Sequence, residues 1–209
     1  PDEQQHRHER DGEPAEAHVR QSSAVPVTRV RPMVKQHVAF LRAVNVGKRR
    51  VPMATLRADL EALGLDDVST YINSGNAVFR SPLGRAELEP QIEACLLESY
   101  GFEVETFVRT AAHVAEIVGR RPFGDVPGGV THLVALLRTS PAAAAKRAIE
   151  GLSGPVDELQ VHRAEVHWRI AGKSLDSALK PKDWKAVGAV PNTTRNITML
   201  TKLISKLDR

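Results

Sequence analysis

The order of apolar and polar positions along the chain predicts an alternation of strands and helices. The run HVAFLRAV, which starts at His37, is apolar and rich in β-branched and aromatic residues, as is typical of a buried strand. The next apolar residues recur at helical spacing and end before a glycine; they are Met53, Leu56, Leu60 and Leu63. We therefore expect an amphipathic helix after the first strand.

The next polar break predicts a β-hairpin. Residues 67–72 and 76–80 are rich in strand-forming residues, and the Asn-Ser-Gly segment between them favours a tight turn. A helix over residues 88–99 and a strand over residues 103–109 complete the order β-α-β-β-α-β. This is the order of the ferredoxin-like unit, in which two helices cover one face of a four-stranded antiparallel sheet.

A second series of similar elements follows a connecting helix over residues 110–120 and a linker rich in proline and glycine. We predict a strand, a helix, a hairpin and a short helical stretch, at residues 131–138, 142–149, 158–170 and 173–179. An amphipathic helix closes the chain, and Thr193 or Thr194 is its expected N-cap.

The repeated order of elements favours an α+β fold of two ferredoxin-like (βαββαβ-type) subdomains that arose by internal duplication. We assign residues 36–125 to the first subdomain with its connecting helix, and residues 126–209 to the second with the C-terminal helix. Residues 1–35 carry six basic and six acidic side chains, no aromatic one and no periodicity, so we expect a disordered N-terminal tail. Met33 stands just before the first strand, which predicts that natural translation starts there.

Composition narrows the function only slightly. The 209 residues include 29 lysines and arginines against 25 acidic residues, and the net charge of +4 permits an anionic partner. One cysteine excludes a disulfide scaffold, and no apolar run approaches the ~20 residues that cross a bilayer. We therefore expect a cytoplasmic protein with no membrane partner. The Walker and dinucleotide-binding glycine motifs are absent, and the histidine pairs lack a third ligand, so we predict no cofactor and no metal.

Three polar segments contain candidate binding residues, and each adjoins a regular element. The first is a strand-to-helix loop with three consecutive cations, where backbone N–H groups can hold an anion. The second is the hairpin turn, and the third begins the predicted last helix, where Arg195 opposes the helix dipole unless an anion or a carboxylate offsets it. The candidate ligand-binding residues are Arg42, Asn45, Gly47, Lys48, Tyr71, Asn73, Ser74, Asn76, Thr194, Arg195 and Asn196.

Each segment also has an interpretation without a ligand. Lys48 and the two arginines after it fit a solvated loop, turn chemistry explains the hairpin residues, and Arg195 fits an internal salt bridge. Aromatic residues on the predicted strands of the first half present a similar choice between base stacking and core packing. These aromatic residues are Phe40, Tyr71, Phe79 and Phe107.

The same segments match three motifs of a known family. An Arg-Gly-Ile-Asn-Val-Gly-Gly loop, a Thr-Tyr-Ile-Gln-Ser-Gly-Asn hairpin and a Thr-Thr-Arg-Asn segment correspond to residues 42–48, 70–76 and 193–196. Over about residues 36–207 the chain resembles the bacterial family called domain of unknown function (DUF) 1697. It departs from the family pattern by having Ala43 and Lys48 for glycine, Asn73 for glutamine and Ile197 for tryptophan. The resemblance implies a cytosolic α+β protein of two ferredoxin-like subdomains, and it brings no established activity.

Three functional hypotheses follow from these residues. The leading one is a non-enzymatic binding module for phosphate-bearing ligands, with nucleic acid first among them. The second is an enzyme that acts on a small phosphorylated or carboxylated substrate, with Arg42 and Arg195 as anion clamps and the hydroxyl of Tyr71 or Ser74 in proton transfer. The third is a structural or interaction domain in which the polar motifs lock the two halves together.

Overall fold

Strands and helices alternate along the whole described part of the chain. The computed structural model describes residues 33–47, 49–72, 75–125, 127–189 and 192–207. Its first half contains β1 (Lys35–Leu41), α1 (Met53–Ala62), β2 (Asp66–Thr70), β3 (Asn76–Ser81), α2 (Arg85–Tyr100), β4 (Thr106–Thr110) and α3 (Ala111–Gly119). Its second half contains β5 (Thr131–Leu137), α4 (Ala143–Glu150), β6 (Asp157–His162), β7 (Glu165–Ile170), a 3₁₀ turn (Ser174–Asp176), α5 (Pro181–Ala186), β8 (Asn192–Asn196) and α6 (Ile197–Leu207).

The strands form two antiparallel sheets of four strands each. The first sheet has the order β2-β3-β1-β4 and the second has the order β6-β7-β5-β8. In both sheets the first strand of the half pairs with the third and the fourth strands of that half. The described residues therefore form an α+β fold with two four-stranded antiparallel sheets and six α-helices, which confirms the predicted fold class at this level.

Alternation along the strands distributes the apolar side chains among three cores. On β1, Ala39 and Leu41 face a core with α1 and α2, whereas Val38 and Phe40 face the opposite side. That opposite side is a central core, which also contains Val134 of β5, residues of α3 and α6, and other residues of both sheets. A third core packs α4 and α5 on the far face of the second sheet. Each sheet thus has one face against helices and one face in the shared central core.

The last strand is the main departure from the predicted elements. Thr193, Thr194 and Arg195 lie in β8, which pairs with β5, so the predicted helical start at these residues is wrong. Pairing with β5 holds their backbone extended, and two β-branched threonines suit a strand. Helix α6 begins at Ile197, and the Oδ1 atom of Asn196 accepts a hydrogen bond from the Thr198 N–H at 2.8 Å. Asn196 therefore satisfies an N–H group at the start of this helix.

Two further predictions concern the ends and the division of the chain. Residues 1–32 lie outside the described residues, so the disordered tail stays a prediction. Lys35, which we assigned to that tail, is the first residue of β1. The division into residues 36–125 and 126–209 stays a prediction. Every helix in the described part of the chain is too short or too polar to cross a bilayer.

Candidate functional site

Arg195 of β8 is the centre of a polar network that joins the two sheets. Its Nε donates to the Oδ1 atom of Asn76 at 2.7 Å, at the start of β3. Its Nη2 donates to two backbone carbonyls, those of Leu41 at 2.9 Å and Gly75 at 3.4 Å. Its Nη1 donates to the hydroxyl of Thr193 at 2.8 Å and to the carbonyl of Thr194 at 3.0 Å. The guanidinium also lies over the Phe40 ring, 5.5 Å from its centroid.

These contacts engage the whole guanidinium group. A guanidinium has five N–H donors, and each donor of Arg195 meets an acceptor of the protein. Burial lowers the pKa of Arg195 to about 10, which leaves it charged at neutral pH. Its partners lie as far away as Leu41, 154 positions earlier in the chain. The Arg195 network therefore fits the third hypothesis, a lock between the two halves, better than a clamp on an external anion.

The hairpin segment packs tightly against the end of β1. Gly75 has φ +72°, and a Cβ atom placed there would lie 2.3 Å from the Cγ2 atom of Val44. The Leu41 N–H donates to the Gly75 carbonyl at 2.7 Å. Asn76 is fully buried, and its side-chain amide donates to the Tyr71 carbonyl at 3.0 Å. Glycine is required at position 75 because it combines left-handed backbone with this close approach.

Side chains of the loop after β1 are also engaged. The Oδ1 atom of Asn45 accepts from the Val51 N–H at 2.9 Å, which closes the loop on itself. Arg42 forms an ion pair with Glu105, just before β4. Ala43 has φ 52°, so alanine here occupies a backbone conformation that suits glycine, the residue of the family pattern. Gly47 also has a positive φ, 59°, and a Cβ atom there would meet nothing within 4 Å.

The remaining predicted residues have varied surroundings. Lys48, Asn73 and Ser74 lie outside the described residues. Tyr71 is half-buried, and the Nζ atom of Lys206 lies 5.8 Å from its ring centroid. Asn196 is exposed at the start of α6. The structure thus brings the end of β1, the hairpin and β8 together through the Arg195 network.

The aromatic residues that we considered for base stacking belong to the cores. Phe40 and Phe107 lie in the central core and Phe79 lies in the core with α1 and α2, and all three have no solvent exposure. Both faces of the first sheet are covered at these positions. These three rings are therefore not available to a nucleic acid, and core packing accounts for them.

A cleft next to the Arg195 network contains the chain's two tryptophans. The cleft, which we call the tryptophan cleft, has a volume of about 460 Å³ and lies between the loop after β1 and the second sheet. Its lining residues are Arg42, Ala43, Trp168, Leu179, Lys180, Pro181, Trp184, Asn192, Thr193, Thr194 and Arg195. A cleft of this size falls in the range that holds small ligands.

Trp168 on β7 is held in a fixed orientation. Its Nε1 donates to the Oδ1 atom of Asp157 at 2.7 Å, and the same carboxylate accepts from the Ser177 hydroxyl at 2.7 Å and from the Ala178 N–H at 2.8 Å. The Trp168 ring lies 5.2 Å from that of Trp184, at an angle of 60°. Trp184 is 8% exposed, whereas Trp168 is half-buried, so the cleft presents the Trp168 ring.

The polar lining of the tryptophan cleft is cationic. Arg42, Lys180 and Arg195 are its charged residues, and no carboxylate is among the described residues that line it. The Nζ atom of Lys180 donates to the Ser177 carbonyl at 3.3 Å. Arg195 is engaged by the protein and Arg42 is paired with Glu105, so Lys180 is the lining cation that no described acidic residue balances. A flat ring beside two cations can bind a molecule that joins a planar group to an anion.

The sequence analysis did not single out this cleft. Trp168 and Trp184 are 16 positions apart and lie on different elements, so no local motif connects them. The available signal was composition, because a chain with only 4% aromatic residues places both of its tryptophans in the second half. Arg42 and Thr194 are the predicted residues other than Arg195 that line the tryptophan cleft.

The buried histidines form a pair instead of a metal site. The Nε2 atom of His132 lies 3.1 Å from the Nδ1 atom of His167, and both residues are buried. Burial lowers the pKa of His132, and burial together with the neighbouring His132 lowers the pKa of His167 to about 4. Within the described ranges, no three histidine, cysteine or acidic side chains are grouped to hold a metal ion.

Fold and cleft together define an α+β protein with a cationic, aromatic-lined cleft, and comparison with known proteins places it in a family. The chain belongs to the family described as protein of unknown function (DUF1697), whose model matches residues 34–167. This match includes the first two polar motifs and ends before β8.

A solved structure of a bacterial protein has a similar fold. It is the conserved bacterial protein SP0830 from Streptococcus pneumoniae, with a TM-score of 0.62 and 22% sequence identity. The alignment covers 85% of this chain and 100% of that chain. No curated protein sequence matches the chain.

Proposed function

We propose that the protein is a non-enzymatic binding module whose tryptophan cleft takes phosphate-bearing ligands with a planar ring, single-stranded nucleic acid first among them. One observation carries this proposal. The half-buried Trp168 ring lies in a cleft of about 460 Å³ with Arg42 and Lys180, and no described lining residue is acidic. Stacking of a base on an aromatic ring contributes about 1–3 kcal/mol, and the lysine and arginine attract the phosphate.

The proposed module also has a proposed origin and location. We infer that each half is a ferredoxin-like unit and that the halves arose by duplication. The shared strand order supports this inference, because in both sheets the first strand of the half lies between the third and the fourth. Cys95 is a free thiol, which is consistent with the cytoplasm that we propose as the location.

Tryptophan fluorescence tests the proposed ligand class. Both tryptophans of the chain line the cleft, so intrinsic fluorescence observes this site and no other. We expect an oligothymidylate to quench the emission saturably at low salt, and the affinity to fall as salt is added. An emission that does not change at low salt, with millimolar oligonucleotide present, contradicts the proposal.

A pair of lysine variants locates the binding. Lys180→Ala removes a cation of the cleft, so it should weaken oligothymidylate binding and reduce the slope of log affinity against log salt by about 1. Lys182→Ala is the matched control, because Lys182 is exposed on α5, two residues after Lys180, and does not line the cleft. Equal effects of the two substitutions would assign binding to general surface charge.

A structural role is the second candidate, and the Arg195 network favours it. Three hydrogen bonds from one guanidinium join β8 to the ends of β1 and β3, and two more bind the guanidinium to β8 itself. Under this alternative the polar motifs of the family stabilise the fold and contact no ligand. The two candidates differ in the fluorescence titration, since a purely structural network gives no quenching by any oligonucleotide.

A further inference from the structure

A second pocket lies at the other end of β1 from the tryptophan cleft. It has a volume of about 320 Å³ and is formed by the start of β1, the connection from β3 to α2, the end of β4 and the start of α3. It shares no lining residue with the tryptophan cleft. The lining residues with ionisable side chains are Lys35, His37, Arg85, Arg109 and His113. We call this pocket the basic pocket.

Lys35 and Arg85 are the two cations of the basic pocket that keep part of their side chains exposed to solvent. Arg109 is 2% exposed and forms an ion pair with Glu165 at 2.8 Å, so its charge is balanced. Lys35 is exposed, and none of the described acidic residues pairs with it. Arg85 is partly exposed; its Nε lies 3.6 Å from the Oε1 atom of Glu89, and its Nη2 donates to the Arg138 carbonyl at 2.5 Å. No carboxylate is among the described lining residues, so the charged side chains that line the pocket are cations.

His37 supplies a buried polar group at the wall of the basic pocket. It is 3% exposed and stacks on Phe79 with the ring centroids 5.7 Å apart. Neither ring nitrogen has a hydrogen-bond partner within the described residues. Burial lowers the pKa of His37. The nearby backbone of Ser81 partly opposes this shift, although it is not placed to form a hydrogen bond with the ring. A buried nitrogen without a partner is costly, and a ligand oxygen in the pocket would satisfy it.

The start of α2 adds backbone donors to the same pocket. This helix has 16 residues, and Gly84 and Arg85 at its N-terminus line the basic pocket. The Glu87 carboxylate accepts from the Gly84 N–H at 3.1 Å. The Glu87 N–H donates to the Gly84 carbonyl at 3.1 Å, whereas the N–H groups of Arg85 and Ala86 precede the first acceptor of the helix, and the helix dipole favours an anion near them. Cations, backbone donors and an unsatisfied histidine thus converge on one pocket.

We propose that the basic pocket binds the phosphate group of a small molecule, with Lys35 and Arg85 as charged partners, the first turn of α2 as a backbone donor and the His37 ring as a buried donor. Phosphate offers several acceptor oxygens, which suits a site that contains donors from three directions. Inorganic phosphate and a phosphate monoester share this chemistry. The site is separate from the tryptophan cleft, and it requires no nucleic acid.

Nitrogen NMR of the histidine rings tests the proposal on the full chain. Inorganic phosphate and glycerol phosphate are added at constant ionic strength, with chloride as the balancing anion. We expect saturable shifts of the His37 ring nitrogens and no change in tryptophan fluorescence. Tighter binding of the ester identifies a monoester site, and equal binding identifies a site for the phosphate group alone; both results agree with the proposal. An unchanged His37 signal with both anions overturns it.

Charge variants provide the specific control. The double substitution of Lys35→Ala with Arg85→Ala should weaken phosphate binding at least about tenfold, because two charged partners are lost. Arg57→Ala removes an exposed cation of α1 that pairs with Glu61 outside the pocket, and it should leave the affinity unchanged. Equal affinity in the double variant and the parent would overturn the proposal. His37→Gln tests the ring separately, because the glutamine amide can still donate a hydrogen bond in place of the ring.

Discussion

At the scale of single residues, the Arg195 side chain donates five hydrogen bonds to the protein. Its guanidinium donates to the Asn76 side chain, to two backbone carbonyls of the first half and to two groups of its own strand. A lysine in its place has one nitrogen and cannot reach these acceptors together. A positive charge alone therefore does not explain why this residue is arginine; the directions of the five guanidinium donors do.

Arg195→Lys should lower the free energy of unfolding by about 3 kcal/mol, because the Leu41 carbonyl and the Asn76 Oδ1 atom each lose a guanidinium donor. Urea unfolding at pH 7 measures this change. The matched control is Arg57→Lys on α1, where an exposed pair with Glu61 should contribute under about 1 kcal/mol. A loss in Arg195→Lys no larger than in this control would mean that the network adds little to stability.

Sequence patterns predicted local features well and long-range ones poorly. The stripe of α1, the hairpin around Gly75 and the stripe of α6 depend on neighbours in sequence, and the structure contains all three elements. The strand β8 depends on pairing with β5, about 60 positions earlier in the chain, so its polar residues gave no strand signal. The tryptophan cleft depends on the packing of α5 against β7, which no spacing rule connects.

At the scale of elements, a buried ion pair connects β4 of the first sheet with β7 of the second. The Nε of Arg109 donates to Glu165 at 2.8 Å, and its Nη2 donates to the Leu137 carbonyl at 2.8 Å. His113 also faces the Glu165 carboxylate, at 3.4 Å. Burial alone would raise the pKa of Glu165, but His113 and Arg109 hold this pKa below its usual range. The two sheets are therefore connected by an ion pair as well as by the shared central core.

Glu165→Gln should lower the free energy of unfolding by about 3–5 kcal/mol, because it leaves the buried Arg109 without a counter-charge. The double substitution Arg109→Met with Glu165→Leu should cost less than this single change, since it removes both charges. Urea denaturation of the three proteins compares them directly. A double variant less stable than Glu165→Gln would show that the hydrogen bonds of Arg109 to backbone carbonyls outweigh its unpaired charge.

At the scale of the whole molecule, histidines with lowered pKa values make stability depend on pH. Burial lowers the pKa values of His37, His132, His162 and His167. The unfolded chain therefore binds more protons than the folded one below the ordinary histidine pKa of 6.5. The folded state keeps its full stability above this pH and loses stability as the pH falls toward 4.

For His167, with a pKa of about 4, the loss between pH 7 and pH 5 should be about 2 kcal/mol. Unfolding by urea at the two pH values measures it. His167→Gln removes this titrating group, so the variant should lose about 2 kcal/mol less over the same interval. Carboxylates with ordinary pKa values titrate below this window and do not confuse the comparison. The same pH dependence in the parent and in the variant would contradict the prediction.

The shared central core determines when the protein can finish folding. Val38, Phe40 and Phe107 of the first sheet pack with Val134 and with residues of α6, which come later in the chain. During synthesis, α3 can cover only part of this face of the first sheet until β5, β8 and α6 have left the ribosome. The growing chain thus carries an open apolar face for much of its time on the ribosome, and β8, which brings Arg195 to the end of β1, closes it late. We therefore expect the growing chain to expose this face to chaperones and proteases until β8 and α6 are in place.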